Sequence, residues 1–377
     1  MVHRRVAVGI SAGTQPPMRQ IRAMVGAART LRLDSLWVVD HFLGFIPQVL
    51  WDKEMSWLAK PGSRPHAYFD YQVVLGHLAR RAGSLQIGVG VTEPIRRHPV
   101  LIAQSFMTLA HLTRKPPILG IGSGERENVT PYGLDFSYSV SRLEEALEVI
   151  RLCFDSDGPF DYEGRFFDLH GAVMDLKPPP GRVPEIWVAA HGPRMLELTG
   201  RFGDGWYPTF PMQPGEFAEK LATIHAAATK VGRDPQRIVA GMQVFVMVAS
   251  TRAEARVLLR SKAARFVGLL ASDEIWQKAG LSHPLGEGFK GMIDFVPESY
   301  SREELDDAIA AVPVELLEES GIWGTPADVI RKIRALGDAG LQHAVLVPAS
   351  ALVSRASARF TLKSLPGLTR RLRTGRD

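Results

Sequence analysis

The feature that most constrains the fold is an alternation of short apolar runs with longer amphipathic segments along the whole chain. Apolar runs rich in β-branched residues predict buried strands, and apolar residues spaced three or four apart predict helices. Eight strands are predicted, at residues 5–10, 35–40, 84–91, 117–122, 184–190, 204–207, 238–249 and 343–347. Helices are predicted between them, at residues 16–32, 71–81, 99–113, 141–154, 193–200, 214–230 and 326–337, with a hairpin at 160–176.

Eight strand-then-helix units without a break in composition predict an α/β fold, a single (β/α)8 TIM barrel formed by one domain over residues 1–377. The alternative is a doubly wound open sheet. It is less favoured because the first strand-helix turn lacks a glycine-rich phosphate loop.

Three segments exceed the length of ordinary connections, near residues 42–69, 125–139 and 251–320. All three follow predicted strands, so they are expected as insertions at the carboxyl-terminal face of the barrel. The first is rich in aromatic residues and proline and is interpreted as a partly helical lid. The third is predicted to be mostly helical.

Composition excludes several classes of protein. No apolar run reaches the roughly 18 residues of a transmembrane segment, and no signal-peptide core is present at the N-terminus. The lone cysteine, Cys153, leaves no internal disulfide, which suits the cytoplasm. The net charge of +5 comes without any nucleic-acid-binding signature, and the basic tail is expected to be a solvated terminus: Arg370, Arg371, Arg373 and Arg376.

Three titratable side chains end or follow predicted strands, and two of them, His41 and Glu125, are candidates for acid–base chemistry. Asp40 and His41 end the second strand, and Glu125 follows the fourth. Strand ends at the carboxyl-terminal face of a barrel point toward the active site. His41 and Glu125 are therefore expected in one mouth, although a solvated surface pair would give the same pattern.

Glycines and a helix start near the same strand ends predict a ligand site. Gly90 suggests a bulge or a close approach of ligand to backbone, and Gly122 lies in a glycine-rich turn that would admit a flat ring. The segment Ala190, His191, Gly192, Pro193 opens a helix, where free amides bind anions. Ordinary tight turns remain the alternative at Gly122 and at residues 190–193.

Six motifs in order resemble the bacterial-luciferase-like superfamily. They are the segments 39–42, 90–99, 119–125, 188–193, 203–206 and 324–326. The pairing of Asp40-His41 with Gly124-Glu125 resembles the branch that uses the deazaflavin coenzyme F-420. The pattern of the whole chain is most similar to the phthiodiolone dimycocerosates ketoreductases.

The resemblance implies roles for individual residues. His41 and Glu125 match the acid–base pair beside the reactive carbon of the deazaflavin, and Asp40 and Asn128 match contacts to the cofactor. Gly90–Val91, followed by Thr92, matches a non-prolyl cis peptide behind the ring, while Gly122 allows the ring to approach. The segment Ala190, His191, Gly192 and Pro193 matches the region that contacts the phosphate side of the cofactor.

One departure from the family points to the substrate. Sugar-phosphate dehydrogenases of this branch carry a lysine after the strand at 204–207, but residues 207–212 contain no cation. We therefore expect hydride transfer between F-420 and a ketone or alcohol on a small apolar, lipid-like molecule. The alternatives are an FMN-dependent monooxygenase and a non-catalytic flavin- or lipid-binding relative. A homodimer is also expected, and no metal site is expected.

Overall fold

The computed structural model describes residues 4–209 and 212–375. Phe210 and Pro211, part of the segment without a cation, and Arg376 of the basic tail lie outside the described residues. The strands are β1 (Ala7–Ala12), β2 (Ser35–Val38), β3 (Gln86–Thr92), β4 (Ile118–Ile121), β5 (Phe160–Glu163), β6 (Asp168–Ala172), β7 (Glu185–Val188), β8 (Gly205–Trp206), β9 (Val239–Val248), β10 (Ile322–Gly324) and β11 (His343–Val347).

The helices cover the outside of the barrel and its carboxyl-terminal end. They are α1 (Met18–Thr30), α2 (Tyr71–Ala82), α3 (Pro99–Leu112), α4 (Ser139–Asp155), α5 (Pro193–Phe202), α6 (Pro214–Lys230), α7 (Arg252–Leu259), α8 (Lys262–Leu269), α9 (Asp273–Lys278), α10 (Arg302–Ala310), α11 (Val314–Ser320), α12 (Pro326–Asp338), α13 (Ser350–Val353) and α14 (Arg355–Thr374). Within the described ranges, no helix combines the length and apolar character needed to cross a bilayer.

Eight parallel strands close into a barrel in the order β1, β2, β3, β4, β7, β8, β9, β11, with β11 pairing back to β1. The predicted (β/α)8 barrel is confirmed. Side chains such as Ile10 and Leu36 point outward and pack against the helices. Trp37, Trp187 and Tyr207 fill the interior, where the Trp37 and Tyr207 rings stack at 4.4 Å. Apolar residues on both faces explain the continuous apolar runs of the sequence.

The segments 42–69 and 251–320 pack together at the carboxyl-terminal end of the barrel. Leu50 and Met55 join an apolar cluster with side chains of α7, α8 and α10, and with Met247 at the end of β9. Trp57 Nε1 also donates a hydrogen bond of 2.9 Å to the carbonyl of Ala351. This cluster forms a cover over the barrel mouth, by which we mean its carboxyl-terminal opening.

The hairpin β5–β6 is held against α4 by two carboxylates of that helix. Glu145 accepts hydrogen bonds from the backbone N–H groups of residues 165–167. Tyr162 adds a 2.6 Å hydrogen bond to Glu148. The hairpin expected at 160–176 is therefore present, held along the outside of the barrel.

Three elements differ from the sequence-based prediction. The sixth strand, β8, contains only two residues because Pro208 follows closely and has no N–H to donate. β10 is an additional strand that pairs with the end of β9. The basic tail forms part of α14, in which Leu372 is buried and Arg373 lies 3.3 Å from Asp34, although Arg370 and Arg371 are exposed as expected.

Candidate functional site

Asp40 is a buried carboxylate held by two arginines. Its Oδ2 accepts hydrogen bonds from Thr92 Oγ1 at 2.7 Å, Arg96 Nη2 at 2.9 Å and Arg97 Nη1 at 2.8 Å. Arg96 also pairs with Glu93, and its Nη1 has no hydrogen-bond partner among the described residues. A buried carboxylate is stable when opposite charges and donors surround it. The arrangement fixes the backbone that carries the next residue.

His41 lies beside two glutamates at the barrel mouth. Its Nδ1 is 3.0 Å from Glu127 Oε1 and 4.0 Å from Glu125 Oε2. The imidazole packs against the rings of Phe45 and Tyr68 from the cover, at 5.2 and 5.5 Å. Burial lowers the pKa of His41, although the negative charge of Glu125 acts in the opposite direction.

Both glutamates favour their protonated forms. Burial, followed by the charge of Glu127, raises the pKa of Glu125 to about 7. Burial raises the pKa of Glu127 well above its usual value of 4.5, against the opposing effects of Asn128 and Arg96. A carboxyl group with a pKa near 7 is suited to give or take a proton at neutral pH.

Asn128 connects the turn after β4 with the turn after β2. Its Oδ1 accepts from the N–H groups of Phe42 at 2.7 Å and Leu43 at 3.3 Å. Its Nδ2 lies 3.0 Å from His41 Nδ1 and 3.1 Å from Glu127 Oε1. Asn128 therefore holds His41 in place besides facing the cavity described next.

A cavity of about 1130 Å³ extends from the barrel mouth beneath the cover. Most predicted site residues line it: Asp40, Val91, Thr92, Gly122, Glu125, Asn128, His191, Gly192 and Pro193. His41 lies next to the wall, in contact with Glu125. Gly90 faces the barrel interior, where it precedes Val91 through a cis peptide bond, and the carbonyl of Ala190 accepts a hydrogen bond from Trp206.

The far part of the cavity is mainly apolar. Its walls come from the end of β9, from α8 and the residue that follows it, and from α11, β10 and α13: Phe245, Met247, Ala264, Val267, Leu270, Leu317, Trp323 and Leu352. A charged rim lies between α6 and α9, where Lys220 is 3.1 Å from Glu216 and Lys278 is 3.1 Å from Glu274. The cavity thus joins a titratable end to an apolar end.

The start of α5 also opens on the cavity. Gly192 is the N-cap and makes no side-chain capping bond, so amides of the first turn are left for a ligand. His191 Nε2 accepts a hydrogen bond from the N–H of Thr209, and the protein around the ring, followed by the positive charge of Lys220, lowers the pKa of His191 to about 4. Arg194 forms an ion pair with Glu144 at 2.8 Å, so that carboxylate balances its positive charge.

The sequence reasoning missed Glu127 and the pairing of Arg96 with Asp40. Glu127 lies two residues after Glu125, and this Glu-x-Glu spacing was the available signal. A 3₁₀ turn at Arg126–Asn128 brings both carboxyl groups toward His41. Arg96 was visible only as one of two arginines before a helix, a pattern that fits a solvated rim equally well.

The ligand atoms of His41, Glu125 and Glu127 lie within 4.8 Å of one another, a spacing compatible with a metal ion. Asn128 Nδ2, however, directs N–H groups at the same lone pairs of His41 and Glu127. We therefore assign no metal to this cluster.

Fold and site together define a (β/α)8-barrel protein with an acid–base cluster at the mouth of a large cavity. The chain belongs to the luciferase-like monooxygenase family, whose model matches residues 2–343. The resemblance inferred from the six motifs is confirmed.

Relatives with known names are similar over nearly the whole chain. A phthiodiolone/phenolphthiodiolone dimycocerosates ketoreductase of Mycobacterium sp. (strain JLS) is 40% identical over 350 residues, 92% of each chain. The ketoreductase of the same name from Mycobacterium tuberculosis (strain ATCC 25618 / H37Rv) is 37% identical over 338 residues, 89% of each chain. An F420-dependent secondary alcohol dehydrogenase, solved with an F420-acetone adduct, superposes with a TM-score of 0.76 at 20% identity, covering 98% of this chain and 99% of that chain.

Proposed function

We propose that this protein is an F-420-dependent oxidoreductase that interconverts a ketone and a secondary alcohol on an apolar, lipid-like substrate. The observation that carries the proposal is the cavity itself, which has Glu125, in contact with His41, at one end and apolar walls at the other. The mycobacterial relatives are named as ketoreductases, which supports the same reaction.

The residues at the mouth fit a flat, anionic coenzyme. A Cβ placed on Gly122 would lie 3.4 Å from Val91 and 3.5 Å from Ala189, so the glycine leaves a shallow recess beside two apolar side chains. Among the described residues, no atom lies within 4 Å of a Cβ placed on Gly192, at the start of α5. The amides there suit a phosphate, and the free Nη1 of Arg96 suits a ring carbonyl or a negative charge.

When bound, coenzyme F-420 supplies the hydride, and the side chains of the protein supply orientation and the proton. Charge develops on the ketone oxygen during reduction, and a positioned acid stabilises it. His41 Nδ1 faces Glu127 and Asn128, so we assign Nε2 to the substrate oxygen. Glu125, with a pKa near 7, tunes the charge of His41 or assists the transfer.

The experiment measures F-420 and FMN binding by fluorescence quenching, then follows reoxidation of reduced F-420 with ketones of increasing chain length. We expect F-420 to bind more tightly than FMN and long-chain ketones to be better substrates than acetone. His41→Asn should lower kcat by about 100-fold, within the range for loss of a general acid, and change the Kd of F-420 less than threefold.

His170→Asn is the matched control, since His170 lies on β6 with 70% of its side chain exposed. Preferential binding of FMN would contradict the F-420 proposal and favour the monooxygenase. Saturable F-420 binding without hydride transfer to any ketone or from any alcohol would favour a binding protein. Equal turnover of wild type and His41→Asn would remove His41 from the mechanism.

We also propose a homodimer, formed through α2 and α3. Val73, Leu101 and Leu112 are apolar residues on these helices with 71%, 56% and 47% of their surface exposed. Exposed apolar side chains clustered on one face are typical of protein–protein contacts.

A further inference from the structure

Glu127 is a buried carboxyl group to which the proposed reaction gives no role. Its side chain is fully buried, and Oε1 lies 3.0 Å from His41 Nδ1. Within residues 4–209 and 212–375, Oε2 has no hydrogen-bond partner. An ionised carboxylate with an unpaired oxygen is costly inside a protein, whereas a neutral carboxylic acid costs much less. Burial itself therefore favours a proton on Glu127.

The orientation of Asn128 determines which tautomer of His41 fits. The backbone N–H groups of Phe42 and Leu43 only donate, so the side chain must present Oδ1 to them. Its Nδ2, which only donates, then lies 3.0 Å from His41 Nδ1 and donates to Glu127 Oε1 at 3.1 Å. A proton on Nδ1 would face these N–H groups, so Nδ1 is left as an acceptor and the ring carries its proton on Nε2.

These two assignments agree with each other. A lone pair on Nδ1 would be repelled by an ionised oxygen 3.0 Å away, unless a proton lies between them. The acid proton of Glu127 occupies that position and donates to Nδ1. The group is then neutral, with one proton on Glu127 and one on Nε2 of His41.

We propose that Glu127 is a positioning residue that holds a reserve proton for His41. This inference rests on the proposed function. As the substrate oxygen gains negative charge, Nε2 gives its proton to that oxygen and forms the alcohol O–H bond. The Glu127 proton moves to Nδ1, which leaves a neutral imidazole protonated on Nδ1 and an ionised Glu127. Solvent in the cavity then returns one proton to Nε2 while the Nδ1 proton moves back to Glu127, which restores the starting tautomer.

Several other groups act on this pair, and their charges belong in any account of its pH dependence. The charged or titratable side chains that face His41 or Glu127 are Asp40, Tyr68, Arg96, Glu125 and Tyr132. Arg96 favours ionised Glu127, whereas Glu125 raises the proton affinity of His41. Whether Glu127 holds its proton therefore depends on the whole cluster, and each variant must change only one of its members.

The decisive variant is Glu127→Gln, which keeps the volume and a hydrogen-bond donor toward Nδ1 but has no acidic proton. His41 could then give up Nε2–H only as an imidazolium, and burial lowers its pKa. We expect the basic limb of the kcat profile to move to lower pH and kcat at pH 8 to fall at least about tenfold. The Kd of F-420 and the KM of the ketone should change less than threefold.

Two further variants separate this role from a structural one. Glu127→Asp keeps an acid and should recover part of the activity at high pH. Glu185→Gln is the matched control, because Glu185 is a half-buried carboxyl that accepts hydrogen bonds from Trp187 and Gln86, away from the cavity. Its pH profile should equal that of the wild type. A uniform loss of kcat at all pH values in Glu127→Gln, or an unchanged profile, would overturn the proposal.

A second measurement needs no turnover. Nitrogen-15 NMR of histidine-labelled protein without coenzyme, with the His41 signals assigned by their loss in His41→Asn, reports which ring nitrogen carries the proton. We expect Nε2–H in the wild type, with Nδ1 as a hydrogen-bonded acceptor. A proton on Nδ1 with a bare Nε2 would overturn the inference, whether or not the ketoreductase activity is found. Absence of turnover in the wild type would instead contradict the proposed function alone.

Discussion

Replacing Glu125 by glutamine should stabilise the folded protein above neutral pH and have little effect in mild acid. Burial raises the pKa of Glu125 from 4.5 to about 7, so the folded state binds the proton more tightly than the unfolded chain. A group of this kind contributes its full stability below pH 4.5 and loses it as the pH rises through about 7. Glutamine stays neutral at every pH, so the variant does not lose this stability as the pH rises.

The size of the effect follows from the two proton affinities. At about 1.4 kcal/mol for each tenfold difference, the rise from 4.5 to about 7 corresponds to roughly 3 kcal/mol. The side chain keeps 28% of its surface exposed, and water in the cavity screens part of its charge. We therefore expect Glu125→Gln to gain about 1–3 kcal/mol in free energy of unfolding at pH 8, relative to the wild type.

The assay is urea unfolding of both proteins at pH 5 and pH 8, followed by tryptophan fluorescence. The stability difference between variant and wild type should be small at pH 5 and grow by the stated amount at pH 8. Glu197→Gln, on the exposed face of α5, should show no such growth. A difference that is equal at the two pH values would refute the reasoning, because it would show that Glu125 does not hold its proton more tightly in the folded state.

Two further predictions concern the buried ion pairs and the proposed dimer. Asp40→Asn leaves Arg96 and Arg97 without their shared carboxylate and should lower the free energy of unfolding by about 3 kcal/mol in chemical denaturation. Asp70→Asn, at the exposed end of the same network, should lower it by less than about 1 kcal/mol. Equal losses would contradict the role of burial. Val73→Asp should raise the dimer dissociation constant at least tenfold in analytical ultracentrifugation, and a wild type that sediments as a monomer would exclude the dimer.

The order and type of most elements could be predicted from the sequence. The barrel strands are buried on both faces, so they appear as apolar runs that do not depend on distant partners for recognition. The helix α12 carries its own start signal, a capping box at Thr325 and Asp328. Such local signals do not exist for β10, whose three residues form a strand only because the end of β9 lies beside them.

The candidate site likewise combines features that are visible in the sequence with features that depend on distant parts of the chain. The positions of His41 and Glu125 at strand ends follow from the alternation of elements, and the structure brings them to 4.0 Å. The state of these groups could not be predicted, because proton affinity depends on burial and on neighbours that are remote in the chain. Glu127 meets His41 across 86 residues, and Arg96 meets Asp40 across 56.

The sequence alone thus determined the barrel, its family and the side chains available for proton transfer. Only the tertiary structure decided which carboxyl groups are buried, which of them lie against the imidazole and how far the cavity extends beneath the cover. The physical reason is that secondary structure reflects patterns within a dozen residues, whereas desolvation and charge pairing depend on what the whole fold brings within a few ångströms.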